Sequence, residues 1–285
     1  MGRRSAWMAS TTILLVALSL GSCGRQPSSY WLVLYASPNE GKLLRSHMAS
    51  AQDTTWAARP IAVGFLEGQP VVLAGAGVGA TNAAVTTQYL LDRYPIHGII
   101  LTGICGGIAE RHKIGDIVIP DRWVAHDYGY IGPNGFRPDS IAVVQPGDSG
   151  FRAAIYLPVD TLLLDRVCAA AYAAAEKLKP VVDRPVQISC GGVGATGNQF
   201  IDQVEKREWL ARTFDAEIVD MESAAVLQTA ATNGIPCVII RSASDLAGGS
   251  GSATAEVEMR EFLQIAADNS AAVVMQFFKM ARRER

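Results

Sequence analysis

The chain has 285 residues, 49% apolar and 18% charged, enough to bury one large core within a single domain. Its formal charge is −2; without residues 1–22, which hold Arg3 and Arg4 and no acid, 23 basic residues face 27 acidic ones, or −4. With no basic stripe beyond Arg282-Arg283-Glu284-Arg285, that balance excludes a nucleic-acid footprint.

The N-terminus reads as a targeting segment. Arg3-Arg4 makes a positive n-region, residues 13–20 a short apolar h-region, and Leu20-Gly21-Ser22-Cys23 resembles a bacterial lipobox. The apolar run is too short to span a bilayer. The expectation is a lipoprotein signal peptide over 1–22, lipidation of Cys23, and a membrane-anchored protein on the periplasmic or cell-surface side. A plain secretory signal and a cytosolic extension are the other readings. Residues 23–29 make a tether without core-forming side chains, and the globular domain spans 30–285.

From residue 30 strands and helices alternate. Residues 30–35 (YWLVLY) predict a strand, and a helix follows Ala36-Ser37-Pro38-Asn39-Glu40-Gly41 to about residue 51. Residues 61–67 and 70–74 read as a hairpin turning at Gly68-Gln69. Gly75-Ala76-Gly77-Val78-Gly79 leads into a helix to about residue 93, and 99–101 is a buried strand ending in Thr102-Gly103-Ile104-Cys105-Gly106-Gly107. Short extended pieces cover 116–120 and 122–125. Residues 129–160, rich in Gly and Pro, predict a long excursion over the site. A helix over 162–178 precedes a strand over 186–190 that ends in Gly191-Gly192-Val193-Gly194, and a helix over 207–213 follows. Residues 217–219 and 237–240 predict strands around a helix over 221–232, which Asn233-Gly234 and Pro236 stop. An amphipathic helix over 256–282 closes the chain. No internal repeat interrupts this α/β pattern, which predicts a mixed, largely parallel central sheet flanked by helices.

Strand, helix, strand over 217–240 predicts a right-handed crossover between parallel strands. Glu222 and Asp245 then each follow a strand's carboxyl end and open onto the edge where open α/β sheets bind ligands. Glu40, Gly77, Gly79, Gly106 and Ser244 fall on the same rim. The Gly75–Gly79 turn can cradle an anion, although such turns more commonly serve tight packing. It lacks the dinucleotide fingerprint, since position 80 is Ala and the next acid, Asp92, lies inside a helix. The spacing of Cys105, Cys168, Cys190 and Cys237 fits no zinc site, and they read as inert buried thiols. Export permits a disulfide, with the pairing open. Neither a metal nor a cofactor is expected.

The motifs AGVGATNAA, LTGICGGIA, KIGDIVIP, AHDYGY, GNQFI, VDMESAAV and VIIRSASD occur in this order. In them the chain resembles the purine nucleoside phosphorylase and nucleosidase superfamily, most of all its methylthioadenosine/S-adenosylhomocysteine nucleosidase branch. The resemblance runs from residue 30 nearly to the C-terminus. It implies a small-molecule purine nucleoside as partner and hydrolysis of its N-glycosidic bond. Asp245 matches the general acid that hands a proton to N7 of the purine, which requires a raised pKa. Glu222 matches the acid that grips the ribose hydroxyls, with Met221 against the sugar; its charge favours the cationic sugar of the transition state. Glu40 matches the carboxylate that activates water. Phe200 and Ile201 match residues that meet the base. Arg241, directly after a buried strand, is expected to pair with a carboxylate in the site or at a subunit interface. His126-Asp127 lies where relatives meet substrate or a neighbouring subunit. The 5′ substituent is expected to meet the 129–160 excursion, and a homodimer to form through the apolar C-terminal helix. An Asp at 245 favours 6-aminopurines within the superfamily.

Each match has a structural counterpart: Ser244 or Asp245 as a helix cap, Glu222 as a first-turn acid, Glu40 as a solvated loop residue, Phe200-Ile201 as core. Two departures bear on the nucleophile. Related phosphorylases carry Pro-Ser after the glycine turn, where this chain reads Gly79-Ala80-Thr81-Asn82, and the family's small polar residue after Thr-Gly is here Ile104. Both weaken phosphate use. A phosphate-dependent phosphorylase and a non-catalytic nucleoside-binding lipoprotein are the alternatives.

Overall fold

A computed structural model describes residues 27–283. The expected signal peptide, Cys23 and most of the tether lie outside the described residues. β1 (Tyr30–Tyr35) and α1 (Pro38–His47) lead into an antiparallel run of β2 (Ala49–Trp56), β3 (Arg59–Leu66) and β4 (Gln69–Gly75). Then come α2 (Ala80–Leu91), β5 (Ile96–Gly107), β6 (Ile117–Ile119) and β7 (Arg122–Ala125). Short strands follow: β8 (Gly129–Gly132), β9 (Gly135–Pro138), β10 (Ile141–Val143), β11 (Arg152–Ala154) and β12 (Tyr156–Pro158). The last part holds α3 (Thr161–Ala174), β13 (Ile188–Cys190), β14 (Val193–Thr196), α4 (Val204–Phe214), β15 (Ala216–Asp220), α5 (Ser223–Thr232), β16 (Cys237–Asp245) and α6 (Ala255–Arg283).

A mixed twelve-stranded sheet carries the fold, ordered β12-β7-β14-β15-β5-β1-β4-β3-β2, with β16 on β5 and β6, and β13 on β6. Alternation along the buried strands sends side chains to two cores. In β1, Leu32 and Leu34 join one cluster, and Trp31, Val33 and Tyr35 the other. α6 covers the second face, burying Val273, Val274, Phe277 and Phe278. The apolar face of this helix is therefore occupied by its own chain.

Several expectations change. β2 continues where the first helix was expected to run; its ASAQDTTW sequence is almost wholly exposed, so no apolar period marks it. The hairpin turns at Glu67-Gly68, both left-handed (φ 49° and 81°), one residue earlier than expected. The run from Thr102 to Gly107 belongs to β5 itself, and Val193–Thr196 is strand. Residues 129–160 are not a structureless loop: β8 pairs β9, β10 pairs β11, and β12 joins the main sheet on β7.

The largest correction concerns β15 and β16. They are not adjacent parallel partners. β5 lies between them, parallel to β16 and antiparallel to β15, which meets only its far end at Gly106 and Gly107. A chain leaving β15 therefore runs back along β5, towards the level of Gly103, whose partner in β16 is Arg241. Glu222 consequently sits beside Arg241, four residues before Asp245. Cys168 and Cys190 form a disulfide between α3 and β13, so of the four expected thiols only Cys105 and Cys237 are free and buried.

Candidate active site

Glu40, Met221, Glu222, Phe200, Ile201, Gly106, Ser244 and Asp245 all line one cleft of about 270 Å³. That is close to the lower end of the roughly 300–1,000 Å³ usual for small-ligand sites. Its remaining wall is largely apolar: Val78, Ile104, Met259 and Leu263. Among the described residues lining it there is no Lys, Arg or His, and no His/Cys/Asp/Glu cluster suited to a metal occurs among the described residues.

Asp245 ends β16, where the pairing register with β5 slips. Such an irregularity commonly re-aims a side chain beside a site. The residue is 3% exposed. Ser244 Oγ donates to its Oδ2 at 2.9 Å and the Ala247 N–H to its Oδ1 at 3.0 Å. Burial nevertheless pushes the carboxyl from 3.8 up to about 7, with the charges of Glu258 and Asp202 adding to the rise and the two hydrogen bonds opposing it. A carboxyl that keeps its proton near neutrality is suited to general-acid work.

Glu222 belongs to a buried ionic cluster. Arg241, fully buried, lies 2.7 Å from Asp220, 3.3 Å from Glu222 and 3.8 Å from Glu40. One cation thus faces three carboxylates, and Gly103 makes room for it: a Cβ there would strike both the Glu40 carboxylate and the Arg241 guanidinium. Asp220 also accepts from Thr196 Oγ1 at 2.7 Å, from the Ser223 hydroxyl, and from the N–H groups of Glu222 and Ser223. It thereby fixes the turn that presents Met221 and Glu222. Burial raises the Glu222 carboxyl, as do Asp220 and Glu40, against Arg241 and the Gly79 N–H, which donates to Oε1 at 2.9 Å.

Glu40 is 2% exposed, not a solvated loop residue. It stands in the first turn of α1, where its Oε2 accepts from the Ser37 N–H at 2.5 Å. Its Oε1 accepts from the Ile104 N–H at 2.9 Å. The Ile104 position thus contributes its backbone amide to Glu40 while its side chain lines the cleft.

Other expected residues play different parts. Arg241 is behind the cleft, as the counter-charge of its acids. Gly79 reaches the site through its amide, already committed to Glu222, and Gly77 turns the chain against Arg59 and Asn82 without lining the cleft. Residues 129–160 supply no lining residue of this cleft. His126 is fully buried against Gly197 and does not line the cleft. Sequence reasoning missed Asp220, Val78, Met259 and Leu263. Asp220 precedes Met221-Glu222 in VDMES, and Met259 and Leu263 stand four apart on one face of α6, so both had a local signal.

The fold and this constellation define an α/β protein with a buried carboxylate site for a small, partly apolar ligand. The chain belongs to the phosphorylase superfamily, whose family model matches residues 31–279. It is 33% identical over 256 residues to a 5′-methylthioadenosine/S-adenosylhomocysteine nucleosidase of Mycobacterium bovis, covering 85% of this chain and 94% of the relative. The fold is similar to the Neisseria meningitidis nucleosidase of the same name in complex with methylthio-immucillin-A: TM-score 0.73, 27% identity, 88% of this chain and 99% of that one. A futalosine hydrolase of Helicobacter pylori shares the fold at TM-score 0.72 and 21% identity, over 88% of this chain and 98% of that one.

Proposed function

We infer that the chain is a purine nucleosidase, hydrolysing the N-glycosidic bond of a nucleoside of the methylthioadenosine or S-adenosylhomocysteine type. The observation that carries this reading is the meeting of Asp245, Glu222 and Glu40, all buried, in one cleft. Asp245 protonates the departing base. Glu222 holds the ribose hydroxyls and counters the positive charge that develops on the sugar. Glu40 takes a proton from the water that attacks the anomeric carbon. The products are free base and free sugar.

Phosphate is a poor second nucleophile here. Arg241 faces three carboxylates, and the Gly79 and Ile104 amides already serve Glu222 and Glu40. An added dianion would meet acids and no unmatched cation among the described lining residues. Incubating the purified domain with methylthioadenosine, with and without phosphate, tests the reading. Equal adenine release in both conditions is expected. Release only with phosphate would make it a phosphorylase, and binding without release a nucleoside carrier.

We further propose that the mature chain begins at a lipidated Cys23 and works outside the cytoplasm. The leader pattern over 1–22 supports this, as does the Cys168–Cys190 disulfide, since disulfides persist in oxidising compartments. Incorporation of labelled fatty acid into the full chain, abolished in Cys23→Ser, is expected; undiminished labelling would overturn it. A homodimer is proposed on the family resemblance, and sedimentation at a monomer's mass would overturn that.

A further inference from the structure

The Asp245 side chain leads directly into the turn 246–250, in which Gly248 and Gly249 are left-handed (φ 116° and 81°). Two glycines leave the turn's shape to contacts from outside. Those contacts come from two helices. Glu258, in the first turn of α6 and 3% exposed, accepts from the Leu246 N–H at 3.0 Å with one carboxylate oxygen and from the Ser250 N–H at 2.8 Å with the other. Arg207 of α4 grips the same turn from its carbonyl side, donating to Leu246 O at 2.9 Å and Gly249 O at 3.2 Å. α6 is itself anchored by Asp202, which follows base-side Ile201 and accepts from the Ala255 N–H at 2.8 Å. Met259, next to Glu258, lines the cleft.

We propose that Glu258 is a positioning residue for proton delivery: its buried carboxylate, bonded to the Leu246 and Ser250 amides, fixes the turn that aims Asp245. The proposal rests on the nucleosidase reading. A buried carboxylate bonded to two backbone amides needs no other role to be satisfied, but its placement gives it two effects on one neighbour. It orders the residues directly after the acid, and it adds a like charge that raises the acid's proton affinity. The groups facing Asp245 from the other packed elements offer no substitute. Ser244 Oγ and the Ala247 N–H favour the ionised form. From β5, the buried Cys105 thiol is pushed upward and stays neutral. Across Gly107, burial pushes His112 down; Arg207 reaches only backbone carbonyls, and Arg241 is matched by its own three acids. Asp202 is the one other acid that acts in the same direction as Glu258.

Glu258→Gln tests both effects, with adenine release followed across pH. Because Asp245 works protonated, loss of the neighbouring charge lowers the pH at which activity declines on the basic side. The limb is expected to move to lower pH, with KM within about twofold. A purely structural role would lower kcat at every pH and leave that limb in place, and an unmoved limb refutes the proposal. Arg207→Gln separates the two effects: it loosens the turn but keeps the Glu258 charge, so kcat falls several-fold with the limb unmoved. Should E258Q fail to fold, wild-type kcat in R207Q overturns the proposal. Wild-type protein in the same assay keeps the two readings distinct, because absence of adenine release there sinks the nucleosidase reading alone.

Discussion

Replacing Asp245 with Asn removes the proton and keeps the shape. An ordinary carboxyl with a pKa of 3.8 would hold its proton in only about one molecule in a thousand at pH 7, whereas one raised to about 7 holds it in about half. The shift of about three units corresponds to roughly 4 kcal/mol of preference for the neutral form. Asp245→Asn is therefore expected to lower kcat by about 10²–10⁴-fold, the usual worth of a positioned acid, with KM changed only a few-fold. The basic limb of the pH profile should vanish with it. Stability gives an independent reading. The folded chain holds a proton on Asp245 between pH 3.8 and about 7 where the unfolded chain has lost it, so wild-type stability declines as pH rises through that window. Asn does not titrate and lacks this decline. Urea melts should then show the variant gaining on wild type from about pH 5 to pH 8, by roughly 2–3 kcal/mol. Wild-type turnover in the variant, or a stability difference independent of pH, would refute the assignment of the acid.

The remaining expectations concern the frame around that acid. Glu222→Gln should lower kcat/KM for adenine release by about 10²–10³-fold through loss of the charge that opposes the sugar cation; a loss under threefold would count against its role. Arg241→Met leaves Asp220, Glu222 and Glu40 without their cation, and denaturant melts should show a loss of about 3–5 kcal/mol, larger at high pH than at low. Cys168→Ser opens a 22-residue closure and should cost about 3 kcal/mol, seen equally when wild type is melted with reductant. Superimposable melts with and without reductant would contradict that.

What the sequence made legible was chemistry at strand ends. Asp245 and Glu222 each follow an apolar strand and Glu40 follows the first one, yet the parallel crossover from which their common rim was argued is not the route the chain takes. The routes were harder. Thr102 to Gly107 looks like loop because of its glycines, yet Gly103 is glycine to admit the Glu40 and Arg241 side chains inside a continuous strand. The antiparallel placement of β15 depends on β5 lying between it and β16, which no local pattern encodes. β2 carries no apolar period because both its faces are open to solvent over most of its length. Glu258 gave no signal either, since its partners are backbone amides of a turn whose course depends on α4 and α6 together.

The nucleophile decides between hydrolysis and every alternative. Methylthioadenosine turned over in ¹⁸O-enriched water containing phosphate should yield adenine and a free sugar whose anomeric hydroxyl carries the label. A sugar phosphate, or unlabelled free sugar at the first turnover, would contradict water activation at Glu40 and the reading built on it.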